Sequence, residues 1–173
     1  QVFKLNQDGK VLLTLGKKGV AGPGLDEFDA PTDVAIAPNG DIFVCDGNSG
    51  GGTATGNARI VKLDKNGKFI QTWGKKGMGP GDFDVVHTLA FDSRGRLFVG
   101  DRQNNRIQIF DQNGKFIAQW LQFGRPSGMF IDKNDIIYVA DSESRDGRTN
   151  TGQFALPQTG YAYNLGAERG IRV

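Results

Sequence analysis

His87 is the only imidazole in the sequence and Cys45 the only thiol. A neutral imidazole can ligate zinc, with water or a substrate group in the open position, or it can be a hydrogen-bonded polar residue lining a channel. One His excludes a two-His metal motif within this chain, and one Cys excludes an internal disulfide and a multi-Cys zinc site. Arg102 carries paired guanidinium donors that could fork onto a substrate carboxylate, or bond strand-end carbonyls and Asp101. Asp46, Asp101 and Asp141 recur at the end of similar apolar runs, where a carboxylate can accept turn amides or support a metal-bound water. Arg59, Arg106 and Arg169 also recur once per unit, and that regularity argues for a structural role. Gly16-Lys17-Lys18-Gly19 and Gly74-Lys75-Lys76-Gly77 are not phosphate loops, because no Gly-Lys-Ser or Gly-Lys-Thr follows. They read as solvated loops, or as contacts for RNA phosphates or acidic proteins. A single His without a local nucleophile signature gives no case for a Ser-His-Asp triad.

The elements that position these residues repeat. Three stretches align: Pro31 to Asp46, Val86 to Asp101 and Pro126 to Asp141, each a pair of short apolar runs around a tight turn. Runs led by Arg59, Arg106 and Arg169 come next, and after the first two of these follow Lys68 to Trp73 and Lys115 to Trp120. The runs are β-branched or aromatic and bounded by Gly, Asn or Asp, which predicts strands. Asn66-Gly67 and Asn113-Gly114 predict type I′ turns. No segment of useful length holds a helical period. Four antiparallel strands per unit, recurring every 40 to 55 residues or roughly so, predict β-propeller blades. Residues 1–16 match only the last two strands of a blade, 28–74 and 83–121 are whole blades, and 124–173 is a blade lacking its fourth strand. Trp73 and Trp120 end the fourth strands as packing residues, and Cys45 reads as a small buried apolar residue. The expectation is therefore an all-β fold with a single propeller region over 1–173, an incomplete arc of about three to four blades. Closure by a second copy, a homo-oligomer, is the alternative to an arc of a larger ring. The long loops (16–30, 47–58, 74–85 and 142–168) all fall on one face, where function is expected to concentrate.

Composition bounds the rest. The chain has 173 residues, of which 21 are Lys or Arg and 19 are Asp or Glu, for a net charge of +2. That balance argues against a nucleic-acid partner. Gly numbers 26 and Pro only 6, which suits many tight turns. No apolar run approaches the roughly 20 residues of a membrane helix. The opening Gln1-Val2-Phe3 has neither Met nor a signal peptide, and the chain reads as processed, trimmed or cut from something longer.

Pro31-Thr32-Asp33-Val34-Ala35, Ile42-Phe43-Val44-Cys45-Asp46, Asn57-Ala58-Arg59-Ile60-Val61 and Gly67-Lys68-Phe69 resemble an NHL repeat. Asp101, Asn104, Arg106-Ile107 and Gly114-Lys115-Phe116 resemble it again. The order of Val2-Phe3-Lys4-Leu5, Phe28, Val44-Cys45-Asp46-Gly47, Val86-His87-Thr88-Leu89-Ala90, Asp101-Arg102 and Arg106-Ile107-Gln108 is similar to the peptidyl-α-hydroxyglycine α-amidating lyase family. That resemblance implies a six-bladed ring and cleavage of a hydroxyglycine-extended peptide to an amide and glyoxylate. It implies zinc held by three His from the inner strands of separate blades, with His87 as one ligand and Arg102 as an active-site Arg. The other two His are expected upstream of Gln1 and beyond Val173. Thr32 and Ser127 stand at the places equivalent to His87 in the neighbouring units. Asn48 stands where the family has an assisting Tyr. Calcium is a second cation that the resemblance implies, with no ligands identified. It also implies a secreted or periplasmic, extracytoplasmic location. The alternative function is a non-catalytic propeller that binds a protein, peptide or glycan on its long-loop face.

Overall fold

The computed structural model describes residues 1–48, 56–141 and 170–172. Every regular element among the described residues is a strand, and no helix there is long and apolar enough to cross a membrane. The first sheet pairs β1 (Val2–Leu5) with β2 (Val11–Leu15). The second runs β3 (Pro31–Ile36), β4 (Ile42–Asp46), β5 (Arg59–Leu63), β6 (Phe69–Trp73) in chain order. The third repeats it with β7 (Val86–Phe91), β8 (Leu97–Asp101), β9 (Arg106–Phe110) and β10 (Phe116–Trp120). The fourth holds β11 (Pro126–Ile131), β12 (Ile137–Asp141) and β13 (Gly170–Arg172). All pairings are antiparallel. This is the expected series of two, four, four and three strands. The chain is an arc of a β-propeller. Arg169 and most of the expected loops over 47–58 and 142–168 lie outside the described residues.

Side-chain alternation explains why the sheets stack. In β4, Ile42 and Val44 face the first sheet, where they join Leu15, Phe28, Val61 and Leu63. Phe43 and Cys45 face the third sheet and pack with Ile60, Val86, Leu97, Val99 and Phe110. In β8, Phe98 turns the other way, toward Ile107, Ile109 and Val139. A strand buried on both faces needs apolar residues at successive positions, and β4 and β8 supply them. Rings tie the middle seam: Phe43 meets Phe91 edge-on at 5.0 Å, and Trp73 lies 6.0 Å from Phe110. The first strands stand side by side, β3 against β7 and β7 against β11. They form the inner wall of the arc.

The tight turns differ from expectation. Gly67 and Gly114 have positive φ, but Asn66 and Asn113 do not, so these are not type I′ turns. Each is instead opened by an aspartate. The Asp64 carboxylate accepts the N–H groups of Asn66 (2.8 Å) and Lys68 (2.9 Å), and Asp111 does the same for Asn113 and Lys115. An Asp in that place favours a longer right-handed turn closed by one left-handed Gly.

A buried ion pair clamps each four-stranded sheet to its incoming connection. Asp46 accepts the Asp29 N–H at 2.6 Å, Asn57 Nδ2 at 2.7 Å and Arg59 Nε at 2.8 Å. The Arg59 fork then reaches the carbonyls of Pro23, Gly24 and Glu27. The third sheet repeats this. Asp101 accepts from Asp84 N–H, Asn104 and Arg106, and the Arg106 fork reaches the carbonyls of Met78, Gly79 and Asp82. Burial pushes the Asp101 carboxyl up to about 6, and the Arg106 charge and the N–H donors oppose that rise. Removing one member of such a pair strands a buried charge. Arg106→Ala is therefore expected to lower unfolding free energy by about 3–5 kcal/mol in urea titrations. Lys17→Ala, which removes an exposed contact to Asp26 and Glu27, should leave the urea midpoint unchanged.

Candidate functional site at the inner strands

Each inner strand begins with a β-bulge at the same place. Pro31 pairs with Asp46 but Asp33 already pairs with Cys45, so Thr32 is the extra residue. His87 is the extra residue between Val86 and Thr88, and Ser127 between Pro126 and Gly128. A bulge re-aims its side chain and turns it out of the regular alternation. Here the side chains reach the next sheet. Thr32 Oγ1 donates to the Val86 carbonyl at 2.7 Å, and His87 Nδ1 lies 2.8 Å from the Ser127 carbonyl.

That second contact fixes the imidazole's tautomer. A carbonyl oxygen only accepts, so the hydrogen must sit on Nδ1 and the lone pair on Nε2. This is the state in which His ligates a metal through Nε2, its other ring nitrogen oriented by a backbone carbonyl. His87 is half-buried. Burial holds its pKa below the usual 6.5, with the Arg102 and Arg125 charges adding to the effect, while the Ser127 contact and Asp33 oppose it. The imidazole is accordingly neutral at pH 7.

Arg102 follows the clamp residue Asp101 and arrives at the same serine. Its Nε donates to Ser127 Oγ at 3.1 Å. Its backbone N–H donates to the Val85 carbonyl at 3.0 Å, two residues before His87. Val85 has a φ of 61°, a left-handed conformation that a β-branched residue adopts only at a cost. Arg125 Nη1 donates to Gln103 Oε1, bracing the turn that carries Arg102. Asp33 is committed elsewhere, accepting from Thr88 Oγ1 and the Leu89 N–H, both at 2.9 Å. The surroundings of His87 thus hold two guanidinium groups and one carboxylate already engaged.

The other chemistry-bearing residues have structural partners. Arg59 and Arg106 are in the clamps, and Asp141 accepts the N–H groups of Gly124 and Arg125. Lys17 pairs with Asp26 at 3.0 Å and Lys76 with Asp84 at 3.7 Å. Cys45 is buried in the core, where burial raises its thiol well above the ordinary range. Asn48 is exposed. Among the described residues no group of three His, Cys, Asp or Glu converges to hold a metal. His87 by itself fits as one donor. Residue type alone does not mark Ser127, Arg125 or Gln103 as partners of the site. The alignment of Pro126-Ser127 with Val86-His87 was the available signal for the first.

Residues 83–110 match the NHL repeat family, and that span covers β7, β8 and β9. Together with the four-stranded sheets, the match places an NHL repeat within this β-propeller arc. The chain resembles the amidating enzymes in particular. It is 42% identical over 116 residues to peptidyl-glycine alpha-amidating monooxygenase of Mus musculus, covering 62% of this chain and 11% of that protein. It is 37% identical over 120 residues to peptidyl-alpha-hydroxyglycine alpha-amidating lyase 1 of Drosophila melanogaster, covering 62% and 21%. It is 35% identical over 109 residues to NHL repeat-containing protein 3 of Homo sapiens, covering 62% and 30%. The chain therefore spans less than a third of each of these relatives. Virginiamycin B lyase of Staphylococcus aureus shares the fold, with a TM-score of 0.53 at 13% identity over 81% of this chain and 41% of that one.

One His makes the site's titration directly readable. In the metal-free protein the lone imidazole Cε1–H resonance is expected to titrate below 6.5. Arg102→Gln should raise that midpoint, because the guanidinium charge lowers it. The native state binds fewer protons than the unfolded chain between the two pKa values, so stability falls as pH drops from 6.5 through the native value. Urea midpoints measured across that window check the sign.

Proposed function

We propose that this propeller contributes to a zinc-dependent lyase site that cleaves peptidyl-α-hydroxyglycine to the peptide amide and glyoxylate. The observation that carries the reading is the shared seat of His87 and Arg102 on Ser127, with the imidazole in the ligating tautomer. His87 would supply one ligand through Nε2. The remaining ligands would come from outside the described residues. Zinc supplies Lewis acidity to such a site. Arg102 would hold the substrate carboxylate, which survives the reaction as the carboxylate of glyoxylate. A fixed guanidinium suits that role because the charge it binds does not change during turnover. The same resemblance supports an extracytoplasmic location.

A second reading is favoured by one relative and one residue. The human NHL repeat-containing protein 3 matches this chain at 35% identity, close to the amidating enzymes, under a name that states no reaction. Asn48 stands where the resemblance called for a Tyr. On this reading the long-loop face binds a protein, peptide or glycan.

Metal analysis and turnover separate the two. The lyase reading expects stoichiometric zinc in the longest natural form, a loss of zinc in His87→Ala, and release of glyoxylate from an acyl-α-hydroxyglycine. Arg102→Ala should lower kcat/KM by about 10²-fold or more, since it removes a charged contact to substrate worth roughly 3 kcal/mol. Zinc content that His87→Ala leaves unchanged would overturn the metal assignment.

A further inference from the structure

We infer that Ser127 is a positioning residue, supplied by the neighbouring blade, that holds His87 through its carbonyl and Arg102 through its hydroxyl. The purpose assigned to it, fixing a metal donor and a carboxylate clamp relative to one another, rests on the lyase reading above.

The geometry joins three parts of the chain at one residue. The Ser127 carbonyl takes the Nδ1 hydrogen of His87 at 2.8 Å, and Ser127 Oγ takes the Nε hydrogen of Arg102 at 3.1 Å. The hydroxyl is itself oriented, donating to the Arg125 carbonyl at 3.2 Å. A hydroxyl can donate one hydrogen bond and accept another at once, and this one accepts from the guanidinium. Two residues earlier, just before β11 begins, the Arg125 side chain braces Gln103, the neighbour of Arg102. Residues 125–127 therefore grip both the strand that carries His87 and the turn that carries Arg102.

The fold allows this approach through a small residue. A Cβ on Gly100 would stand 2.6 Å from Thr88 Cγ2 and 3.3 Å from the Pro126 carbonyl oxygen. The corresponding residue of the preceding sheet is Cys45, which pairs with Asp33 as Gly100 pairs with Thr88.

Comparison between blades separates positioning from a requirement of the repeat. Gly47 occupies the place of Arg102 in the preceding sheet, its N–H bonded to Ala30 O as the Arg102 N–H is to Val85 O. Gly47 has no side chain to send across. The seam between the second and third sheets thus forms without a contact of the Arg102–Ser127 kind. Of the two sheets described at this position, only the one that carries the imidazole makes the bond to a serine hydroxyl.

The test uses the intact, ¹⁵N-labelled protein and two variants. Ser127→Ala removes the hydroxyl but keeps the carbonyl, and Ser127→Thr keeps both. In the parent protein a slowly exchanging Arg102 Nε–H resonance is expected, with His87 in the Nδ1–H tautomer by its imidazole nitrogen shifts. Ser127→Ala should speed exchange of the Arg102 Nε–H while leaving the tautomer and zinc content as they were. KM for an acyl-α-hydroxyglycine should rise about three- to tenfold with kcat within about twofold, as expected for the loss of one hydrogen bond that orients a binding group. Ser127→Thr should restore the resonance and KM together. An Arg102 resonance and KM that are both indifferent to Ser127→Ala would overturn the inference, as would an Nε2–H tautomer in the parent. If the parent turns over no hydroxyglycine peptide, the lyase reading falls. The Arg102 resonance then still decides whether Ser127 positions it.

Discussion

A residue at the extra position of a bulge falls outside the pairing of its own sheet, and its side chain must find partners elsewhere. Thr32, His87 and Ser127 are all such residues, at one recurring place on strands that stand side by side. Thr32 bonds the backbone just before His87, and His87 bonds the backbone of Ser127. The bulges thereby turn an inner wall held by packing into one that is also linked blade to blade by hydrogen bonds. They also bring the single imidazole into the wall, half-buried, with its hydrogen fixed on one nitrogen.

That arrangement needs sheets that do not shift relative to their connections. The clamps of Asp46 with Arg59 and Asp101 with Arg106 meet this need. Each carboxylate sits at the end of a fully buried strand, and each guanidinium gathers carbonyls from the loop that enters the blade. A carbonyl-rich loop without such a fork would leave acceptors poorly satisfied against a core. Arg102 begins where the second clamp ends, so its backbone inherits the rigidity of Asp101. Rigid anchoring of a loop-borne side chain is what a charged group needs if it is to orient a ligand without losing much entropy on binding.

The repeat was legible because it is written in alternating apolar residues. Phe43 and Val44, or Phe98 and Val99, can both be buried only if sheets cover the strand on both sides. The recurrence of Asp and Arg around them marks the clamp by regularity alone. The bulges were not legible. Pro31-Thr32-Asp33-Val34 and Val86-His87-Thr88-Leu89 read as continuous strands, and nothing in residue type marks Thr32 or His87 as supernumerary. The register with the facing strand decides that, and register is a tertiary property. The turns at Asn66 and Asn113 went against the Asn-Gly rule for a similar reason. Asp64 and Asp111, two residues earlier, capture the turn amides and select another geometry. His87 and Arg102 stood out by chemistry. Their common partner Ser127 is marked only by its alignment with His87, and that it meets both side chains is decided by the packing of neighbouring strands.

A propeller repeat gives each blade an equivalent position but leaves its chemistry open. Thr32 shows what the bulge position does with a hydroxyl: it bonds the next backbone and the wall is tied. His87 keeps that bond through Nδ1 and adds a nitrogen lone pair to it, so a structural contact and a ligating state come from one ring. The identity of the neighbouring side chains then matters more than the fold. Where the preceding sheet has Gly47, this one has Arg102, and where Thr32 bonds forward to the Val86 carbonyl, Ser127 reaches back to the guanidinium. Two guanidinium groups stand beside the imidazole, Arg102 held on the Ser127 hydroxyl and Arg125 on the Gln103 side-chain oxygen, so the positive charge around the ring is fixed in place by its neighbours.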